Sequence, residues 1–132
     1  MPAAASPDLH GLRILVVEDT VLVADLVVEE LQDQGCSVVG PAARVDQGLS
    51  LAATAGLDGA LLDVNLAGEK CFPIADALTS RGVPFAFLTG YGDAVLPPCY
   101  RATPRLTKPF ALEHMVELVG RCFRRAGDAR LP

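Results

Sequence analysis

Cysteine is sparse and scattered in this chain. Cys36, Cys71, Cys99 and Cys122 lie far apart with no C-x-x-C pair, a spacing that excludes a compact zinc site and a small disulfide scaffold. Reduced, buried thiols are the expectation, and with them a cytoplasmic setting. No apolar run approaches the roughly 20 residues that span a bilayer. Residues 1–7 lack a basic segment followed by an apolar one, so no signal peptide is predicted and the protein is read as soluble. An excess of positive charge is missing too. The formal net charge of −5 argues against nucleic acid as the main partner. His10 and His114 have no paired ligands and read as structural or solvated. Internal repeats and low-complexity segments are absent.

What is present is a hydrophobic half: 51% of 132 residues, enough for one domain with a single core. Basic residues gather late, from Arg101 through Lys108 to Arg130, and read as a solvated face. Short apolar runs alternate with longer periodic segments. Strands are predicted at Leu12–Val17, Cys36–Val39, Ala60–Val64, Val83–Leu88 and Leu106–Thr107. Between them, helices are predicted from Thr20 (as N-cap) to about Gln34, from Val45 to Ala55, and from Glu69 to Arg81, with a last one from Ala111 to Arg124. In the first helix Val23, Leu26, Val27 and Leu31 recur at helical spacing; in the last, Leu112, Met115, Val116, Val119, Cys122 and Phe123 do. Such alternation implies βαβ units and a parallel sheet covered on both faces. Between the fourth and fifth strands, Gly90, Gly92 and Pro97-Pro98 leave at most about one turn of helix. The fourth crossover is therefore predicted to be short or irregular. Residues 1–10 and 127–132 read as flexible ends around one domain at 11–126.

In an open parallel sheet, ligands bind outside the carboxyl ends of the strands. Those ends carry Glu18-Asp19, Asp63, Thr89 and Lys108. Three carboxylates at close quarters repel one another unless one protonates or a hard cation binds. Three negative charges, one Mg²⁺ and Lys108 sum to zero, and a phosphoryl group arriving on Asp63 would meet a metal and an ammonium already aimed at its oxygens. The Thr89 hydroxyl can hydrogen-bond the same group.

Four segments carry a resemblance. Leu15 to Asp19, Leu61-Leu62-Asp63-Val64-Asn65, Leu88-Thr89-Gly90 and Thr107-Lys108-Pro109-Phe110 together resemble the motifs of two-component response regulator receiver domains. The resemblance covers about Leu12 to Arg124. It implies a flavodoxin-like α/β fold, a doubly wound five-stranded parallel sheet of order 2-1-3-4-5. It also implies Asp63 as phosphoacceptor and an Mg²⁺ (or Mn²⁺) site made by Asp19, Asp63 and the Asn65 backbone carbonyl, with Glu18 acting through water. Thr89, Gly90 and Lys108 would bind the phosphoryl group. Pro84 to Gly92 is similar to the signature of the FATGUY subclass of single-domain receivers, with Leu88 where that signature has alanine. Most receivers carry Tyr or Phe three residues before the lysine; here Arg105 stands there, and Leu66-Ala67 replaces the common Met-Pro after the phosphoacceptor. The resemblance places kinase docking on Leu22, Val23, Leu26, Pro109 and Phe110.

The function implied is a phosphorylation-dependent signalling module, without an output domain and not an enzyme in the usual sense. It would receive phosphate from a histidine kinase or histidine phosphotransfer protein, with no nucleic-acid or membrane partner. The competing reading is a haloacid-dehalogenase-like, Mg-dependent phosphatase with Asp63 as nucleophile, which should carry Asp two residues later. Asn65 stands there instead. Because an arginine at 105 cannot turn inward without burying its charge, the segment from Gly90 to Tyr100 is the expected carrier of the conformational signal. It is expected to be mobile in the free protein, with Tyr91 folding toward the site.

Overall fold

The computed structural model describes residues 8–90 and 96–123. The chain runs β1 (Arg13–Val17), α1 (Val21–Asp33), β2 (Ser37–Ala42), α2 (Val45–Thr54), β3 (Gly59–Asp63), β4 (Asn65–Leu66), β5 (Glu69–Lys70), α3 (Phe72–Ser80), β6 (Phe85–Thr89), β7 (Arg105–Thr107) and α4 (Leu112–Phe123). Five strands form a parallel sheet in the order β2-β1-β3-β6-β7, which is the expected order with a two-strand hairpin, β4-β5, inserted after β3.

Side-chain alternation along the strands builds two cores. Leu15, Val17, Ala60, Leu62, Phe85 and Phe87 face α2 and α3; Ile14, Val16, Leu61, Ala86 and Leu88 face α1 and α4. β3 and β6 are buried at every residue, as continuous apolar strands in the middle of a parallel sheet must be. In α1 the buried stripe is Ala24, Val27 and Leu31. Leu26, grouped with that stripe on spacing alone, is 45% exposed.

Several boundaries differ from expectation for local reasons. Glu69 and Lys70 belong to the hairpin, so α3 starts at Phe72, with Pro73 in its first turn where a missing N–H costs nothing. Strand β2 continues through Gly40-Pro41 to Ala42, carried by a shift of register against β1 between Leu15 and Val17; as an edge strand it tolerates a proline. Leu9, assigned to a flexible end, is buried among Leu12, Leu31 and Phe123 in the α1/α4 core. Of the four cysteines, Cys36 and Cys71 are buried, whereas Cys99 is exposed and Cys122 half-buried.

Among the described residues of the crossover from β6 to β7 there is a 3-10 turn at Pro98–Tyr100. Leu96 and Tyr100 pack onto the α2/α3 core. The Tyr100 ring lies within 5.6–6.1 Å of Phe72, Phe85 and Phe87, and its hydroxyl donates to Asp76 on α3. Residues 96–100 are thus anchored, contrary to the expectation of a mobile segment through Tyr100. Tyr91 lies outside the described residues.

Candidate functional site

Every residue singled out at a strand end reaches the same rim. Glu18 follows β1 directly, its N–H donating to Ala42 O at 2.9 Å. Asp63 ends β3 and Thr89 ends β6, and the N–H of Lys108, just past β7, donates to Thr89 O at 2.7 Å. That bond fixes the lysine backbone against the neighbouring strand. The Lys108-Pro109 peptide is cis.

Glu18, Asp63 and Thr89 are the buried polar side chains among the described residues, at 2%, 3% and 8% exposure. Burying charge is tolerated only where it is paired. Here Lys108 Nζ bridges both carboxylates, 2.8 Å from Glu18 Oε1 and 3.2 Å from Asp63 Oδ2. Asp63 Oδ1 accepts the Asn65 N–H at 3.3 Å, and Glu18 Oε2 accepts the Thr20 N–H at 3.1 Å. Thr20 therefore starts α1 through its backbone; its side chain makes no cap bond. One cation does not balance two buried anions. Burial and the charge of Glu18 push the Asp63 carboxyl up to about 7, against the pull of Lys108. Burial alone would lower Lys108, but its bonds and charge contacts with Glu18 and Asp63 hold it above its ordinary value.

The arrangement fits a divalent cation. Glu18, Asp19 and Asp63 each offer a carboxylate oxygen, and these lie within 4.8 Å of one another. Glu18 Oε1 is fully buried, with Lys108 Nζ at 2.8 Å as its partner. An all-oxygen, net-negative donor set suits Mg²⁺ or Mn²⁺ and not a thiol-seeking metal. Asn65 sits in the hairpin opposite Lys70, next to the cluster in sequence.

Other expectations fall further away. The Thr89 hydroxyl makes long contacts of 3.4 Å to Leu106 O and Thr107 Oγ1, on the β7 side. Arg105 is exposed and its guanidinium donates to Arg101 O at 2.6 Å, so it points along the surface and not into the site. Leu22 is exposed, whereas Val23, Leu26, Pro109 and Phe110 line one apolar groove of about 410 Å³ beside Lys108. Two neighbours escaped the sequence reading. The Ala67 N–H donates to Asp19 Oδ2 at 2.8 Å, a contact set by a hairpin that no periodicity announces. Cys71 lies buried near Asp63, and burial and then the Asp63 charge push its thiol up to about 12, leaving it inert.

The model of the response regulator receiver domain family matches residues 14–120. The chain belongs to that family. Among solved structures it is similar to SdrG from Sphingomonas melonis Fr1, at 37% identity and a TM-score of 0.73, covering 81% of this chain and 92% of that one. The receiver is also similar to the response regulator PhyR from Brucella abortus, at 25% identity and a TM-score of 0.73, covering 86% of this chain but 48% of PhyR. Among curated proteins it is 31% identical over 87 residues to the uncharacterized transcriptional regulatory protein YbdJ of Bacillus subtilis (strain 168). That match spans 64% of this chain and 38% of YbdJ, so the chain corresponds to well under half of that relative. No helix among the described residues is long and apolar enough to cross a membrane.

Proposed function

We propose that this receiver accepts a phosphoryl group on Asp63 from a phosphohistidine donor, a histidine kinase or a histidine phosphotransfer protein. The observation that carries the reading is one buried carboxylate, Asp63, flanked by a lysine at 3.2 Å and by two further carboxylates within 4.8 Å. An Asp63 oxygen attacks phosphorus, the P–N bond breaks, and the imidazole leaves with the electron pair. Asp63 must be ionised to attack. Lys108 and a cation both favour that state, while burial and Glu18 oppose it.

Asp19, Asp63 and the Asn65 carbonyl would hold Mg²⁺ or Mn²⁺, with Glu18 in the outer layer. When bound, the cation supplies positive charge to the equatorial phosphoryl oxygens. Once Asp63 is phosphorylated, Lys108 loses one carboxylate partner and is free to pair with a phosphoryl oxygen. The Thr89 hydroxyl, held only by 3.4 Å contacts, can turn to the same group at small cost. Val23, Leu26, Pro109 and Phe110 would seat the protein donor beside Lys108.

Intact mass after acetyl phosphate and Mg²⁺ tests the assignment. The native chain should gain one phosphoryl group, and Asp63→Asn should gain none. A mass gain that persists in Asp63→Asn would sink it. One SdrG structure, 35% identical with a TM-score of 0.69, is described as its BeF3-activated conformation; the same mimic is the natural probe of this chain.

A further inference from the structure

We infer that the backbone N–H of Ala67 positions Asp19 for the cation. The inference rests on the metal reading above and deepens it. The β4-β5 hairpin turns on two residues, Ala67 at φ +49 and Gly68 at φ +91. Positive φ at both positions is the type I′ geometry whose twist matches paired strands. Glycine adopts it freely, but an alanine does so at a steric cost. The conformation points the Ala67 N–H at Asp19 Oδ2, 2.8 Å away and 48 residues back in the chain. Leu66, 1% exposed, plugs the hairpin into the α2/α3 core, so the donor is carried on an anchored arm.

The bond has a consequence for coordination. Asp19 is only half-buried and sits at the start of a loop, where a carboxylate would otherwise sample several rotamers. With Oδ2 engaged, the carboxylate keeps an oxygen within 4.8 Å of those of Glu18 and Asp63. A hydrogen bond to a ligating carboxylate fixes its orientation, and loss of such a partner typically weakens a metal about 10–100-fold. Ala67 is thus a positioning residue acting through its main chain, which is why its side chain carries no sign of it.

Mn²⁺ titrations of the whole chain by calorimetry test this, with Ala67→Gly, Ala67→Pro and Gly68→Ala beside the native protein. Ala67→Gly keeps the donor and relaxes the turn, and should bind as the native chain does. Ala67→Pro removes the donor and, because proline cannot adopt φ +49, also the turn that aims it, and should bind about ten-fold more weakly or worse. Gly68→Ala strains the same turn but keeps the Ala67 N–H, and should stay close to native affinity. Equal affinity in Ala67→Pro and Ala67→Gly overturns the inference, as does a Gly68→Ala loss as large as that of Ala67→Pro. Should Ala67→Pro fail to fold, amide exchange decides. The Ala67 amide should be protected in the native chain and lose that protection in Asp19→Ala, and equal rates in both would refute the bond. A native chain that binds no Mn²⁺ removes the metal reading and the inference with it. That outcome is distinct from tight binding that ignores position 67.

Discussion

Burial, and then the charge of Glu18, raise the Asp63 carboxyl against the pull of Lys108, which holds both buried anions with one charge. The sign of that shift fixes how stability varies with pH. Between the ordinary 3.8 and about 7, the folded protein holds a proton on Asp63 that the unfolded chain has released. The metal-free fold therefore loses stability as pH rises through that window. Urea midpoints in EDTA should be lower at pH 8 than at pH 5, and Mg²⁺ should restore the difference by binding only the folded state. Asp63→Asn removes the charge, so it should flatten both the pH slope and the Mg²⁺ effect. A native-like slope in that variant would place the titration elsewhere. Lys108→Ala works in the opposite direction, leaving Glu18 and Asp63 facing each other without a cation. A loss of roughly 1–3 kcal/mol is expected at pH 8, with less at pH 5, where Asp63 can protonate.

Elements differ in how far they were legible from residue types. The order of strands and the four strand-end residues could be read because apolar runs and turn residues alternate sharply, and because Glu18, Asp63, Thr89 and Lys108 each follow such a run. The hairpin could not, since two-residue strands carry no periodicity and Glu69-Lys70 fits a helix start equally well. Nor could the role of Tyr100, whose packing depends on Phe72, Phe85 and Phe87 from two other elements. That cluster makes a definite claim about the crossover. Tyr100→Ala should cost about 3–5 kcal/mol, as for other buried aromatic deletions, and Tyr100→Phe about 1 kcal/mol for the bond to Asp76. Residues 96–100 should show the same amide protection with and without beryllofluoride, because their contacts lie on the α3 side, away from Thr89. A protection change there would restore the crossover's far end as a moving part. At the opposite end of the sheet, Gly59 lies under the Phe123 ring, where an added Cβ would come to 2.3 Å. Gly59→Ala should destabilise by about 1–3 kcal/mol through displaced packing of α4, while leaving Asp63 competent for acetyl phosphate.

On the scale of the molecule, the polar rim and an apolar surface meet at one place. Val21, Leu22 and Leu26 are 73%, 69% and 45% exposed, and Leu26 continues into the groove formed with Val23, Pro109 and Phe110. Single exposed leucines mean little; the contiguous patch beside Asp63 is the surface proposed above to seat the protein donor. A small phosphodonor needs no such surface, because it can diffuse to Asp63 unaided. A protein donor does, because its phosphohistidine must be held in line with the carboxylate while the P–N bond breaks. The two donors therefore separate chemistry from recognition. Leu26→Glu puts a charge in the apolar groove, which Lys108 also lines, while leaving Asp63 and the acidic cluster in place. It should leave acetyl phosphate labelling unchanged while slowing transfer from a phosphorylated histidine kinase about ten-fold or more, the size of effect typical of a central interface residue. Equal loss with both donors would mean that the site itself was disturbed. Unchanged transfer from the kinase would move docking to another face, and the exposed residues of α1 would then need a different partner.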